Sequence, residues 1–117
     1  MAEGNSLFAS LLGEPMNAVS FVMDYVEFHF NGQVVRALSS PAVQIGSTRT
    51  TFPDAGSRDA LCSLIGDAVA EIEVDEESSL RLLFTSGARL SVPLDSAHRV
   101  GAEALHFMKD GQFVVIW

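Results

Sequence analysis

The amino-acid sequence predicts a mainly β domain, or an α+β domain with only two short helices. In this fold, two β-meander units pack as a sandwich or a partly closed barrel, and a C-terminal hairpin completes the chain. Three observations lead to it. Short apolar or alternating runs recur between Gly, Pro and polar turns. Glycine-containing turns join neighbouring runs into hairpins. The same order of landmarks occurs twice along the chain.

Length and composition predict one domain over residues 1–117. A chain of 117 residues is close to the commonest domain size. Its single cysteine, Cys62, permits no internal disulfide and suits a reducing compartment. The start lacks the apolar core of a secretory signal, and no apolar run approaches the ~20 residues that span a bilayer. We therefore expect a cytoplasmic protein.

The charge balance narrows the class of partner. Fifteen acidic residues against seven basic ones give a formal charge of −8. This charge argues against nucleic acid and against anionic membrane surfaces, because both need a basic protein face. Hydrophobic residues make up 48% of the chain and charged residues only 19%, which leaves an apolar surplus on a small domain. Self-association as a homodimer is one expected use of that surplus.

Two short helices are predicted, one before each meander. From Ser6 and from Ser57, apolar side chains fall on one helical stripe for about two turns, and a glycine follows. Serine can cap the start of a helix, and glycine suits the left-handed residue just past its end. The stripes are Leu7, Phe8, Leu11 and Leu12 before Gly13, and Ala60, Leu61, Leu64 and Ile65 before Gly66.

The stretches "SLLGEP" at 10–15 and "SLIGDA" at 63–68 each open a similar series. A strand, a polar break, a second strand, a Gly turn, a third strand and a proline follow in the same order. Four shared landmarks favour an internal duplication of residues 6–41 and 57–93. The alternative is that short helices and meanders are common enough to look alike.

Turn chemistry predicts the strand registers of both meanders. Asn31-Gly32 is the strongest two-residue hairpin signal, because both positions must accept positive φ. In the second meander a three-residue loop, Thr85-Ser86-Gly87, closes the apolar face, whereas a two-residue loop does not. The predicted pairs are Phe28 with Val35, Val26 with Ala37 and Glu27 with Arg36, then Phe84 with Ala88, Leu82 with Leu90 and Leu80 with Val92.

A third hairpin is predicted over residues 102–117. A three-residue loop at Lys109-Asp110-Gly111 pairs Phe107 with Phe113, and a two-residue loop pairs Met108 with Phe113; the sequence leaves both open. The final run "FVVIW" is almost continuously apolar, which predicts a central strand or one covered on both faces. Residues 42–52 form a weaker strand or two, broken at Gly46, and residues 95–103 form a loop.

The second unit, "LIGDAVAEIEVDEESSLRLLFTSGARLSVP", resembles a pattern of small bacterial domains of unknown function. In that pattern an L-x-G-x-x-V start leads to a strand, an acidic turn, an L-x-L-x-F strand, a Gly turn and L-x-V-P. The match covers residues 64–93 well, the first unit loosely and the C-terminal hairpin in outline. The resemblance implies an all-β fold and a bacterial source. It implies no activity and no catalytic residues.

Two polar clusters are the candidates for a site. His98, Glu103 and His106 are close enough in sequence to converge, but no two have a known metal-ligand spacing, so we expect no metal. The stretch "EIEVDEE" lacks the glycine of a calcium loop. It reads as a solvated strand face, with the alternative of a docking face for a basic partner. That face consists of Glu71, Glu73, Asp75, Glu76 and Glu77.

No arrangement typical of an enzyme appears. Cys62 lies beside Leu61 on a helical stripe, which predicts a buried, inert thiol. No nucleophile elbow or phosphate-binding glycine loop is present, and both helix-associated glycines follow their helices. We therefore expect no enzyme activity and no cofactor.

The function predicted from the sequence is a non-enzymatic protein-interaction module, with an acidic immunity or antitoxin-like protein as a special case. The alternative is a small-molecule-binding domain with an apolar pocket between the two meanders. The residues expected to line that pocket are Phe28, Phe84, Phe107 and Trp117.

Overall fold

A computed structural model describes residues 6–99 and 101–117 and confirms the mainly β prediction. That part of the chain forms two five-stranded antiparallel sheets that do not close into a barrel. The inner faces of both sheets contribute to one hydrophobic core, so the arrangement is a sandwich. In chain order the strands are β1 (Ala18–Val22), β2 (Tyr25–Phe30), β3 (Gln33–Ala37), β4 (Ala42–Ile45), β5 (Thr48–Thr51), β6 (Val69–Asp75), β7 (Ser79–Phe84), β8 (Arg89–Pro93), β9 (Leu105–Lys109) and β10 (Gln112–Ile116). Helix α1 is Ser57–Cys62, and short 3-10 turns are Ala9–Leu11 and Ser96–His98.

Each sheet combines a meander from one half of the chain with a hairpin from the other half. Sheet one has the order β1-β2-β3-β9-β10, and sheet two has the order β5-β4-β8-β7-β6. The hairpin β4-β5 follows the first meander but pairs with β8 of the second. The hairpin β9-β10 follows the second meander but pairs with β3 of the first. The two halves of the chain therefore exchange their hairpins, and each sheet contains strands from both halves.

The predicted registers of both meanders are confirmed. Around Asn31-Gly32, every predicted pair of β2 and β3 is present, and both turn residues have positive φ. In the second meander the three-residue loop forms, with Leu82 opposite Leu90. Alternate residues of β2, β3 and β7 are buried, as expected for strands with one face on the core.

The prediction for the last strand is wrong. Strand β10 lies at the edge of sheet one, with its outward side chains exposed. Of the two loop lengths left open, the two-residue alternative forms, because Phe113 pairs with Met108. A bulge at Val114 then restores the inward direction, so that Val115 pairs with Phe107 and enters the core.

The predicted helical stripes are only half correct. Phe8 and Leu11 are buried, as are Leu61 and Leu64 in the second unit. The flanking residues of the stripes are exposed because each segment presents about one turn to the core, so a neighbour one position away lies about 100° around the axis. The exposed residues are Leu7, Leu12 and Ile65.

Two predictions around α1 are also wrong. Its N-cap is Gly56 in a left-handed conformation, and Ser57 lies inside the first turn. The buried Ser57 hydroxyl has no hydrogen-bond partner within the described residues. Cys62 is exposed rather than buried, because it lies one position beyond the inward-facing Leu61.

The segments after the two helical turns pair with each other in a symmetric pattern. The Gly13 N–H donates to the Val69 carbonyl at 2.8 Å, and the Gly66 N–H donates to the Met16 carbonyl at 2.8 Å. The Met16 N–H donates to the Asp67 carbonyl at 3.0 Å, and the Val69 N–H donates to the Glu14 carbonyl at 3.1 Å. Each bond has a counterpart when the residues of "SLLGEP" and "SLIGDA" exchange places. The two stretches are thus equivalent in position, and their origin by duplication stays a prediction.

The acidic residue after each glycine binds the hairpin turn of its own meander. The Asn31 side-chain amide donates to Glu14 Oε1 at 2.8 Å. The Thr85 hydroxyl donates to Asp67 Oδ1 at 2.7 Å, and the Ser86 N–H donates to the same oxygen at 3.3 Å. Burial acts to raise the pKa of Asp67, but the hydrogen bonds from Ser86 and Thr85 outweigh it and lower that pKa below 3.8.

We expect Asp67→Ala to lower the free energy of unfolding at pH 7 by about 0.5–1.5 kcal/mol, because two hydrogen bonds to the carboxylate are lost. A lowered folded-state pKa means that this stabilisation is present above pH 3.8 and disappears as the pH falls through the folded value. Urea unfolding of both proteins between pH 3 and 7 measures the difference. Glu76→Ala, an exposed carboxylate of another turn, is the control. A pH-independent difference would contradict the assignment.

Candidate functional site

The outer face of sheet one carries a continuous polar network. Arg36 Nε donates to Glu27 Oε2 at 2.8 Å, across the predicted β2–β3 pair. Arg36 Nη1 lies 3.1 Å from His106 Nδ1, and His106 Nε2 lies 2.7 Å from Glu103 Oε1. The guanidinium also lies over the Tyr25 ring, with Cζ 5.5 Å from its centroid. These contacts join β2, β3 and β9, and His106 lies 70 residues after Arg36 in the chain.

The network fixes the state of His106. A guanidinium has only donors, so His106 Nδ1 must accept from Arg36. The proton of the neutral ring then lies on Nε2, which donates to Glu103. Both ring nitrogens therefore have protein partners, and the side chain is 13% exposed.

His29 extends the same face towards β1. Its Nε2 lies 3.2 Å from Ser20 Oγ and 3.5 Å from Glu27 Oε1. The side chain faces away from the core, as the alternation of β2 predicts. Its contacts tie the edge strand β1 to the central strands of the sheet.

The structure separates the predicted cluster of His98, Glu103 and His106. Glu103 and His106 meet, but His98 Nδ1 bonds Asp95, with 2.8 Å to Oδ2. The hydrogen bond from His98 is the main cause that lowers the pKa of Asp95. Within residues 6–99 and 101–117, no three or more His, Cys, Asp or Glu side chains are grouped so as to hold a metal ion.

The predicted aromatic pocket coincides with the packed core. Phe28, Phe84 and Phe107 are buried in the core cluster, and Trp117 is partly buried and packs against that cluster. The ring of Phe8 lies between the last two, with centroids 4.9 Å from Phe107 and 5.6 Å from Trp117. Phe8 was not predicted to belong to this group, because its only signal in the sequence is its place on the apolar stripe of the first helical turn.

The predicted acidic face lies on an edge strand. Its five carboxylates are exposed on β6 and on the turn that follows it. Glu73 Oε1 accepts a hydrogen bond from Arg81 Nε at 2.9 Å, and Asp75 accepts one from the Glu77 N–H at 3.0 Å. Charge along an edge strand opposes pairing with another sheet. The face lies next to solvent as predicted, and a basic partner for it stays a prediction.

Corresponding surface hollows lie on the two outer faces, and their charges differ. Each hollow is lined by the first residue of the second strand of its meander, which is Tyr25 on sheet one and Ser79 on sheet two. Each is also lined by the residue that follows the last inward-facing residue of the third strand, which is Leu38 on sheet one and Pro93 on sheet two. The first, the acidic pocket, has a volume of about 300 Å³ and the second, the basic groove, about 270 Å³. The acidic pocket is lined by Asp24, Tyr25, Leu38, Gly101, Ala102 and Glu103. The basic groove is lined by Arg49, Ser78, Ser79, Arg81, Ser91, Pro93, Asp95 and His98.

The residues of the basic groove were missed from the sequence for a physical reason. Arg81 and Ser91 face outward on β7 and β8, as the alternation of the second meander predicts. Arg49 joins them only because β5-β4 pairs with β8, and no turn or local pattern predicts that exchange. The local signal therefore identified outward residues but not which of them meet.

Comparisons with known proteins assign no family. A scan against protein-family models and searches of curated proteins and of solved structures find no match to this chain. The resemblance of residues 64–93 to small bacterial domains therefore rests on the sequence alone. In the described part of the chain, no helix has the length and apolar character needed to traverse a bilayer.

Proposed function

We propose that the protein is a non-enzymatic interaction module whose contact surface is the outer side of β10, and that its partner there is a second copy of the chain. The apolar patch of β10 consists of Phe113, Val114 and Ile116, which are 55%, 44% and 51% exposed. The half-buried Met108, which pairs with Phe113, extends the patch from the edge strand onto the neighbouring strand β9. This concentration of exposed apolar side chains on one strand is the observation that carries the proposal.

Two features favour a second copy as the occupant, and a third decides which side chains make the contact. Strand β10 contains no charged residue, in contrast to the acidic edge strand β6. An edge strand that meets its own copy in antiparallel orientation fits a two-fold axis, because each patch then contacts the same patch. The bulge at Val114 interrupts the edge, so we expect the faces around Phe113 and Ile116 to make the main contact rather than a continuous ladder.

The expected result is a monomer–dimer equilibrium that sedimentation velocity resolves across micromolar to millimolar concentrations. Phe113→Glu should weaken dimerisation by at least about tenfold, because it places a charge in a desolvated contact. Ile45→Glu is the matched control, since Ile45 is 43% exposed on another strand. A monomer at every concentration, or equal effects of both substitutions, would contradict the proposal.

Salt separates this association from binding at the acidic face. Two copies that each carry a charge of −8 repel one another, so added salt should strengthen the dimer or leave it unchanged. Docking of a basic partner on the acidic face would weaken steeply with salt instead. An increase of the dimer dissociation constant with salt would therefore indicate that the dimer contact does not lie on β10.

A further inference from the structure

We propose that the basic groove on the outer face of sheet two binds one compact phosphoryl group, such as that of a small phosphorylated molecule. This inference does not depend on the proposed dimer, because the groove and β10 belong to different sheets. It rests on the concentration of basic side chains there, on donors left without protein partners, and on the contrast with the corresponding acidic pocket.

Basic side chains are concentrated on this face of a strongly acidic protein. The chain has only seven Lys and Arg residues, and Arg49, Arg81 and Arg89 all project from the outer face of sheet two. Arg49 and Arg81 line the groove itself, whereas Arg89 lies outside it. The corresponding pocket of sheet one instead presents Asp24 and Glu103. The two hollows therefore have similar positions and opposite preferences for charge.

Most hydrogen-bond donors of the groove are free. Among the residues that the structure describes, the guanidinium of Arg49 has no ion pair or hydrogen bond, and the hydroxyls of Ser79 and Ser91 have no hydrogen bond. Arg81 uses only Nε, on Glu73, and its two terminal nitrogens remain available. Phosphate oxygens accept strong, often bidentate hydrogen bonds from guanidinium groups, and serine hydroxyls are further donors.

The two neighbouring carboxylates already have protein partners. Glu73 holds Arg81 at 2.9 Å and so fixes the direction of its guanidinium. Asp95 holds His98 Nδ1, which leaves Nε2 as the free nitrogen of that ring. Each carboxylate thus orients a basic side chain, in the way that a supporting residue orients a ligand-binding one.

The overall charge limits the ligand to a compact one. An extended polyanion would pass over acidic surface on a protein of charge −8, and the groove of about 270 Å³ has room for a phosphoryl group with a small substituent. We therefore expect a single phosphate to bind. The additional phosphates of a nucleic-acid backbone should not increase the affinity.

The test is a titration with inorganic phosphate at constant ionic strength, followed by amide NMR shifts. We expect saturable shifts centred on the groove, and binding weaker by at least about tenfold in Arg49→Gln, because a charged hydrogen-bonding partner is removed. Arg89→Gln is the matched control, with the same charge change on the same face, and should bind as the wild type does. Both residues are exposed, so both variants should fold.

Two results would overturn the proposal. One is the absence of saturation, or an equal weakening in Arg49→Gln and Arg89→Gln, which would mean only a diffuse response to charge. The other is much tighter binding of a ten-nucleotide single-stranded DNA than of inorganic phosphate, which would mean that the face binds an extended polyanion. Unchanged dimerisation in Arg49→Gln would show that a failure here leaves the proposed interaction function intact.

Discussion

Replacement of Phe8 by Ala is expected to reduce the free energy of unfolding by about 3–5 kcal/mol, the usual cost of removing a buried aromatic ring. Phe8 is 0% exposed. Its ring stacks on Phe107 with centroids 4.9 Å apart and contacts Trp117 at 5.6 Å. The substitution therefore removes a contact between the first helical turn, strand β9 and the last residue of the chain.

The position of Phe8 explains why the effect should be large. Phe107 belongs to a hairpin that reaches sheet one only by the exchange between the two halves. Phe8 packs on that hairpin from inside the core, so the cavity left by alanine would lie where the two halves meet. The surrounding strands are held in register by ladder hydrogen bonds and have little freedom to close such a cavity.

Chemical denaturation at neutral pH measures this effect, with Leu12→Ala as the matched control. Leu12 belongs to the same predicted stripe but is 50% exposed, so its loss should cost less than about 1 kcal/mol. Similar losses in the two variants would mean that the turn does not pack as described. A large loss in Phe8→Ala alone would confirm that only one side of this turn contacts the core.

The fold was predictable from the sequence wherever local chemistry determines it. The Asn31-Gly32 turn determines the register of β2 and β3, because positive φ at both positions permits one tight loop geometry. The three-residue loop before Ala88 was predictable because only that register places the apolar residues of β7 and β8 on one face. In both cases the information lies within a few residues of the turn.

The exchange of hairpins was not predictable in this way. Nothing near β4 in the sequence indicates that it pairs with β8, about 45 residues later, since loop closure over such distances leaves no local pattern. The exposure of β10 also depends on strand order, which the local sequence does not determine. The composition of β10 indicates burial on both faces, but its neighbours in the sheet decide exposure, and it has a neighbour on one side only.

The candidate sites follow the same division. The contact of Glu27 with Arg36 was predictable, because it lies across a hairpin of known register. The link from Arg36 to His106 and the joining of Arg49 to the basic groove both depend on strand order between the halves. A surface formed by exchanged hairpins therefore cannot be predicted from the sequence of either half alone.

Arg36 is the residue whose loss should affect the outer face of sheet one most. We expect Arg36→Leu to lower the free energy of unfolding by about 1–3 kcal/mol, the cost of leaving a polar group without its hydrogen-bond partner. Its partner Glu27 is 16% exposed and would lose the donor 2.8 Å away. His106 would lose the donor to Nδ1, and Tyr25 would lose the guanidinium over its ring.

The ion pair of Arg81 with Glu73 supplies a matched control on the other sheet. Its N–O distance of 2.9 Å is nearly the same, but the side chains are 39% and 51% exposed, so solvent screens the pair. Arg81→Leu should therefore cost less than about 1 kcal/mol. The chemistry, the geometry and the cross-strand position of the two ion pairs are alike, so they differ in burial and in the further contacts of Arg36 with His106 and Tyr25.

A double-mutant cycle decides whether the loss of stability in Arg36→Leu comes from the ion pair with Glu27 or from the changed shape of the side chain. If Glu27→Leu and Arg36→Leu each destabilise and the double variant costs less than their sum, the coupling belongs to the pair. We expect that coupling to exceed the one measured for Glu73 and Arg81 by at least about 0.5 kcal/mol. Equal couplings would mean that the outer network contributes no more than a solvated surface pair. The exposed patch on β10 contacts this network through Phe113, whose ring lies edge-on to that of His106 with centroids 5.3 Å apart.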